Sequence, residues 1–321
     1  IARDVKEQAP GLRVTTLAYA GLEKPCTGFV AEDNVNVSFC FYIPDNAHHL
    51  SGDNGPKNCR NRALADYFIG WTEIAPVDVW YYAGDWMYDI AAAPIALNVY
   101  YDIKFLSQYN TRGVFFLGGN TNYTAGNDLA DYMVNKCLWN PDMSYEEFEA
   151  HCKEWMHIMY GEGYETVWGY YLSYEEAAHI DSDNCWSALK DAPQARINIQ
   201  YVRDHYDQWW DMYMYSRSLC QNMCQQKNLE LFFFHMNFLG VSFSHTPRYL
   251  NGNAEERAAI AERYTHLYKM IKKYNIHPTA AWDIDNGDFP DELDLNFNPL
   301  MTEGIPKGDM NSTWNEDFLK G

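Results

Sequence analysis

The sequence lacks the short motifs that mark nucleotide-handling and acyl-transfer enzymes. It has no GxGxxG, no GxxxxGK[ST] loop and no GxSxG element, so dinucleotide, nucleotide and serine-hydrolase chemistry have no motif to rest on. Positive charge is scarce: 24 Lys and Arg face 44 Asp and Glu, for a net charge of −20. That balance argues against nucleic acid or an anionic membrane as partner, and an acidic sugar would need a local basic patch. No apolar run approaches the roughly 20 residues of a membrane-spanning helix. The eight cysteines, at 26, 40, 59, 137, 152, 185, 220 and 224, form no CxxC pair, so zinc-ribbon and dithiol redox motifs are unsupported. Free buried thiols are the expectation, as in a reducing compartment or an anaerobic host, and no metal or other cofactor is called for. Cys220 and Cys224 are spaced i,i+4 on an expected helix. No internal repeat or low-complexity tract occurs.

What the chain has in quantity is apolar and aromatic surface. Of 321 residues 47% are hydrophobic and 16% aromatic, with 25 Tyr and 11 Trp. That is enough for a substantial core and two domains. Most of these rings are expected in the core. Some are candidates for sugar platforms, since a ring face stacks on the C–H face of a pyranose while its polar edge stays wet.

In chain order, a helix over 1–9 ends at Pro10-Gly11. Strands follow at Arg13 to Tyr19, Val35 to Tyr42, Val77 to Tyr82 and Gly113 to Leu117. Helices are expected at Ala63 to Trp71 and over 95–109. Strands alternating with helices mean βα units and a mostly parallel sheet. The run Val114 to Leu117 stops at Gly118-Gly119, a polar loop spans 120–127, and Leu129, Met133, Val134, Cys137 and Leu138 mark a helix. Ser144 with Glu147 is a capping box for the next one. From 144 onward strand signals nearly vanish: amphipathic segments lie at 144–160, 164–179, 194–227 and 254–274. The stretch 228–243 reads as a buried helix or a strand, and periodicity leaves both open. The acidic, Pro- and Gly-punctuated tail from 278 reads as an irregular wrap.

The stretch NTNYTAGNDLA…CLWNPDMSYEEF, from Asn120, resembles the eighth-strand loop and following helices of the α-glucuronidase glycoside hydrolases. It is closer still to the glycosidase-like bacterial family called domain of unknown function 4838. The resemblance implies that the four βα units, residues 1–140, are the C-terminal half of a (β/α)8 TIM-type barrel, followed by a mainly α-helical domain over 141–321. It also implies a protein acting on poly- or oligosaccharides, uronic-acid glycosides included, by carboxylate acid/base chemistry. The alternative is a non-catalytic carbohydrate-binding or accessory protein on the same scaffold. A half barrel exposes two sheet edges. Its other half is expected from the same polypeptide, of which this chain would be the C-terminal part, or from an oligomeric copy; the alternative is a small open α/β sheet complete in itself.

In a βα barrel the active site lies at the carboxyl ends of the strands. That rule selects Tyr19 after the first strand; Asp45, His48 and His49 after the second; Tyr81, Tyr82, Asp85 and Trp86 after the third; and Asn120, Asn122 and Tyr123 after the fourth. Glycoside hydrolysis needs two carboxyl groups flanking the scissile bond. Asp45 and Asp85 are the candidates for catalysis, and Tyr19, His48, His49, Tyr82, Trp86, Asn120, Asn122 and Tyr123 those for sugar binding. Asp45, in YIPDNAHHL, resembles the Pro-x-Asp segment of the α-glucuronidases, and Asp85 lies near the place where those enzymes carry a glutamate followed by an aromatic. Each is equally a loop aspartate capping a turn. A tandem His pair on one loop points its rings apart, so His48 and His49 suit hydrogen bonding better than metal. Arg60 and Arg62 could grip a uronate carboxylate or serve as surface charges.

Overall fold

The computed structural model describes residues 1–28, 30–82, 94–117, 128–179, 183–188, 196–240 and 252–274. A short helix α1 (Ala2–Gln8) precedes β1 (Val14–Ala18), β2 (Val35–Cys40), α2 (Arg60–Ile74), β3 (Val77–Tyr82), α3 (Ala96–Ser107) and β4 (Thr111–Leu117). The strands form one sheet in the order β1-β2-β3-β4, every neighbour parallel. Val14 sits opposite Val35, Val37 opposite Val77 and Val79 opposite Val114.

Period-two alternation gives this sheet two unlike faces. Val37, Phe39, Val77, Val79 and Tyr81 are buried. Phe68 of α2 meets Phe39 and Phe41 on that side, and also Phe105 of α3, at 5.7–5.8 Å between ring centroids. Both crossover helices therefore cover one face, which is what sequential strand order with right-handed crossovers produces. The other face carries Leu17, Tyr42, Trp80, Tyr82 and Phe115. Leu17 and Phe115 are 54% and 55% exposed. Toward the amino ends of the strands it is polar: Asn36 donates to the Asp78 carboxylate, and the Arg112 guanidinium donates to Asn36 Oδ1 at 2.8 Å.

The rest of the described chain is helical: α4 (Asp128–Trp139), α5 (Tyr145–Tyr160), a 3-10 turn (Gly161–Gly163), α6 (Tyr164–His179), α7 (Ile199–Ser218), α8 (Met223–Phe232), α9 (Phe234–Gly240) and α10 (Ala254–Tyr274). Both halves of the Ser144–Glu147 capping box form. The open question over 228–243 resolves as helix through Gly240. The segment expected over 194–227 divides, because the Asn222 side chain accepts from Gln225 N and starts a new helix four residues after α7 ends. Cys220 thus lies between helices and Cys224 inside α8, rather than one turn apart on one helix. Helix α2 starts three residues earlier than its pattern suggests; its N-cap, Cys59, makes no side-chain cap bond and so carries no capping signal.

Aromatic rings fill the helical core. Tyr170 stacks on Phe233 at 4.2 Å, and Trp209 meets Tyr170 edge-on at 5.5 Å. The 3-10 turn brings Gly163 so close to α7 that a Cβ there would stand 2.8 Å from Ser216 Cα. The buried side chains of the sheet and of the helices form one continuous cluster. Helix α6 also holds the amino end of α3: Ala96 N donates to the Tyr171 hydroxyl at 2.9 Å and Leu97 N to Glu175 Oε1 at 3.1 Å. No helix among the described residues is long and apolar enough to cross a membrane.

Candidate functional site at the carboxyl ends of the strands

Three tyrosines stand at the carboxyl ends of three neighbouring strands. The Tyr19 and Tyr42 rings meet edge-on at 4.8 Å, and Tyr42 and Tyr82 lie 6.2 Å apart. Trp80, one pleat below Tyr82 on the same face, stacks on it at 6.2 Å and meets Phe115 at 4.7 Å. The three tyrosines and Trp80 are half-buried. Burial pushes the Tyr82 phenol up, and its hydrogen bond with Tyr19 adds to the effect. Trp80 Nε1 is buried with no hydrogen-bond partner among the described residues. Trp80 escaped selection because it lies inside the strand pattern, which says nothing about which face a helix covers; Tyr42 ends its expected run as Tyr19 and Tyr82 end theirs, and it was passed over in favour of the loop beyond it.

The β2–α2 loop turns sharply at its start. Ile43 has φ +50°, a costly conformation for a β-branched residue and one that persists where its surroundings impose it. The fully buried Asn61 of α2 then fixes the loop: its Nδ2 donates to the carbonyls of Asp45 at 2.7 Å, His48 at 3.1 Å and His49 at 2.9 Å, while its Oδ1 accepts from Asp45 N at 2.9 Å. Asp102 of α3 accepts from Leu50 N at 2.7 Å and from the Tyr81 hydroxyl at 2.6 Å. Its burial raises this carboxyl to about 7.

Asp45 is buried with both oxygens engaged. Oδ1 accepts from Ala47 N at 3.0 Å and Trp186 N at 3.2 Å; Oδ2 lies 2.7 Å from His48 Nδ1 and 3.0 Å from Cys59 Sγ. Cys185, from the segment after α6, also reaches Asp45 and Cys59. One oxygen, nitrogen or sulfur atom from each of Asp45, His48, Cys59 and Cys185 lies within 4.8 Å of all the others. Burial, with the Asp45 carboxylate next, raises the Cys59 thiol to about 11 and the Cys185 thiol to about 12. Neutral thiols that donate to a carboxylate are poor nucleophiles, so a cysteine–histidine hydrolase has no support here. The sequence signal for this cluster is faint. Only Asp45 and His48 are close in the chain, and Cys185 lies far from Cys59.

His48 and His49 engage different partners, His48 through Asp45. His49 stacks on Tyr101 at 4.1 Å and approaches Asp53 at 3.3 Å. Both border a cavity of about 210 Å³, which Glu175 and His179 of α6 also line. Burial raises the Glu175 carboxyl to about 8 and lowers His179 to about 4; His179 Nε2 has no partner among the described residues. Arg62 is spent on the loop itself, donating to the carbonyls of Pro56, Asp53 and Gly55. Arg60 donates to Tyr42 O at 3.1 Å and lies 3.7 Å from Glu23, a buried carboxylate after β1 that the strand-end rule passed over. Of the residues selected from sequence, Tyr19 and Tyr82 stand in the tyrosine row, Asp45, His48 and His49 lie in the β2–α2 loop, and Tyr81 is buried on the helix-covered face, donating to Asp102, while Asp85, Trp86, Asn120, Asn122 and Tyr123 lie outside the described residues.

A family model described as domain of unknown function 4838 (DUF4838) matches residues 1–172. The chain belongs to this family. The match spans the whole sheet, the β2–α2 loop and the helices through most of α6, so three of the four clustered residues fall within it and Cys185 lies beyond it. A comparison with curated proteins found no match.

Proposed function

We propose that this DUF4838 chain is part of a glycoside-hydrolase-like protein that takes poly- or oligosaccharide at the carboxyl ends of its four parallel strands, uronic-acid glycosides among them. The observation that carries the reading is the row Tyr19–Tyr42–Tyr82, one half-buried ring per strand end, backed by Trp80. Half-buried rings keep part of their surface exposed beside their phenol oxygens, a combination suited to holding a pyranose by stacking and hydrogen bonding.

The sheet is read as half of a (β/α)8 barrel. Sequential parallel order, crossover helices α2 and α3 on one face, and an opposite face with exposed Leu17 and Phe115 all suit a lumen wall awaiting further strands, from the same polypeptide or a second copy. Carboxylate acid/base chemistry would act at this mouth, with Asp85 as the water-activating base. Asp45, held on both oxygens, is better suited to ordering the loop than to taking a proton from water.

A second reading, carbohydrate binding without turnover, draws on that same engagement: Asp45 and Glu23, the strand-end carboxylates among the described residues, are both buried and already partnered. A screen of the full natural polypeptide against aryl glycosides and oligosaccharides, uronates included, separates the two. Hydrolysis supports the enzyme, saturable binding without products supports the accessory role, and neither would remove the carbohydrate reading.

A further inference from the structure

We propose that Asp45, His48, Cys59 and Cys185 form a four-ligand site for a zinc-class divalent cation, which ties the β2–α2 loop to the segment following α6. The donor set is one carboxylate oxygen, one imidazole nitrogen and two sulfurs, a mixture that selects borderline-soft cations over magnesium or calcium. Three of the four residues are buried, and Cys185 closes the cluster from the exposed side.

The geometry suits a tetrahedral centre. Metal–sulfur bonds of about 2.3 Å and metal–nitrogen or –oxygen bonds of about 2.0–2.1 Å place neighbouring ligand atoms about 3.3–3.8 Å apart. The four donor atoms lie within 4.8 Å of one another, with His48 Nδ1 at 2.7 Å and Cys59 Sγ at 3.0 Å from Asp45 Oδ2. Opening those two contacts by about half an ångström would make room for a cation at tetrahedral spacing.

The surroundings are those of a prepared site. Asp45 uses Oδ1 to accept from two backbone N–H groups, Ala47 and Trp186, which orients Oδ2 toward the other three donors. Asn61 clamps the backbone of Asp45 and His48 together. Cys59 is the N-cap of α2, so its sulfur is anchored at the amino end of a 15-residue helix. Gly55 packs onto both ligands: a Cβ there would lie 3.0 Å from the His48 ring and 3.1 Å from Cys59 Sγ, so a side chain would press on both. Four protein donors leave no open coordination position, which makes the centre structural. It would act as a cross-link between chain segments that also meet through Asn46, whose backbone N donates to Trp186 O at 2.7 Å and whose side chain accepts from Ala188 N at 2.8 Å.

The test uses the full natural polypeptide produced in zinc-supplemented medium, with metal measured by mass spectrometry after gel filtration, and the cobalt(II)-exchanged protein measured by absorption. The expected result is about one zinc per chain and, with cobalt, sulfur-to-metal charge-transfer bands with the visible bands of a four-coordinate ion. Cys185→Ser, at an exposed position and therefore the variant that leaves the fold intact, should weaken metal retention by about tenfold or more. Cys26→Ser, exposed and outside the cluster, should retain metal as the parent does. Zinc content unchanged in Cys185→Ser and Cys59→Ser would overturn the proposal. So would a cobalt spectrum without thiolate bands, or metal-free protein in which intact-mass analysis finds Cys59 and Cys185 joined as a disulfide.

Discussion

Replacing Asn61 by alanine removes the side chain that gives the β2–α2 loop its shape. The amide makes one accepted and three donated contacts, all within 3.1 Å, to the backbone of Asp45, His48 and His49. Its two amide protons serve three carbonyls, so the contacts are worth fewer than four full bonds. In the variant the Asp45 N–H is stranded in a site that water does not reach, and two or three carbonyls lose their donor. At about 1 kcal/mol net per hydrogen bond and about 1–3 kcal/mol for a stranded buried group, the expected loss is about 2–4 kcal/mol. Asn61→Asp keeps the acceptor for Asp45 N but loses the donors and buries a charge, so it should cost at least as much. Denaturant unfolding of parent and variants measures this directly. A loss below about 0.5 kcal/mol for Asn61→Ala, within the range of an ordinary surface substitution, would show that the loop is held by something else.

Other substitutions and pH probe the remaining elements. Glu175 has its folded pKa raised by burial from 4.5 to about 8, so the native state holds the proton longer than the unfolded chain; stability should fall as pH rises between those values, and Glu175→Gln should flatten that slope in urea titrations at stepped pH. His235, buried and lowered from 6.5 to about 3, works in the opposite direction: its contribution is present above 6.5 and lost as pH falls toward 3, so the acid limb of the same profile should ease in His235→Phe. Gly240→Ala would place a methyl 1.9 Å from the Tyr206 ring, and calorimetry should register a destabilisation of about 2–4 kcal/mol. If Asp85 is the base, Asp85→Asn should lower turnover of a cleaved substrate by about 10²–10⁴ with a much smaller change in KM, and full activity in that variant would move the base elsewhere.

The sheet was legible because parallel strands buried on one face and bounded by glycine or proline leave a plain pattern. Val35 to Cys40 and Val77 to Tyr82 fall within or coincide with the runs read from sequence. The Ser144 cap and the bounds of α10 were legible for the same local reason. What local pattern cannot carry is long-range assembly. The end of α7 at Ser218 depends on Asn222 capping its successor, a signal easily lost inside a continuous amphipathic stretch. The Asp45 cluster is harder still, because Cys185 joins it across the whole of α2 to α6, and two single cysteines form no spacing motif. Trp80 was invisible as a site residue because a strand sequence reveals its two faces without saying which one a helix covers.

The most direct measurement of the central claim is a crystal structure of the full natural polypeptide with the tightest-binding oligosaccharide from the screen. The account predicts a sugar ring within van der Waals contact of Tyr19, Tyr42 or Tyr82 at the carboxyl ends of the strands, and binding weakened by about three- to tenfold in Tyr42→Ala or Tyr82→Ala. Sugar bound on the helical unit or on the helix-covered side of the sheet, with affinity unchanged in both tyrosine variants, would contradict it.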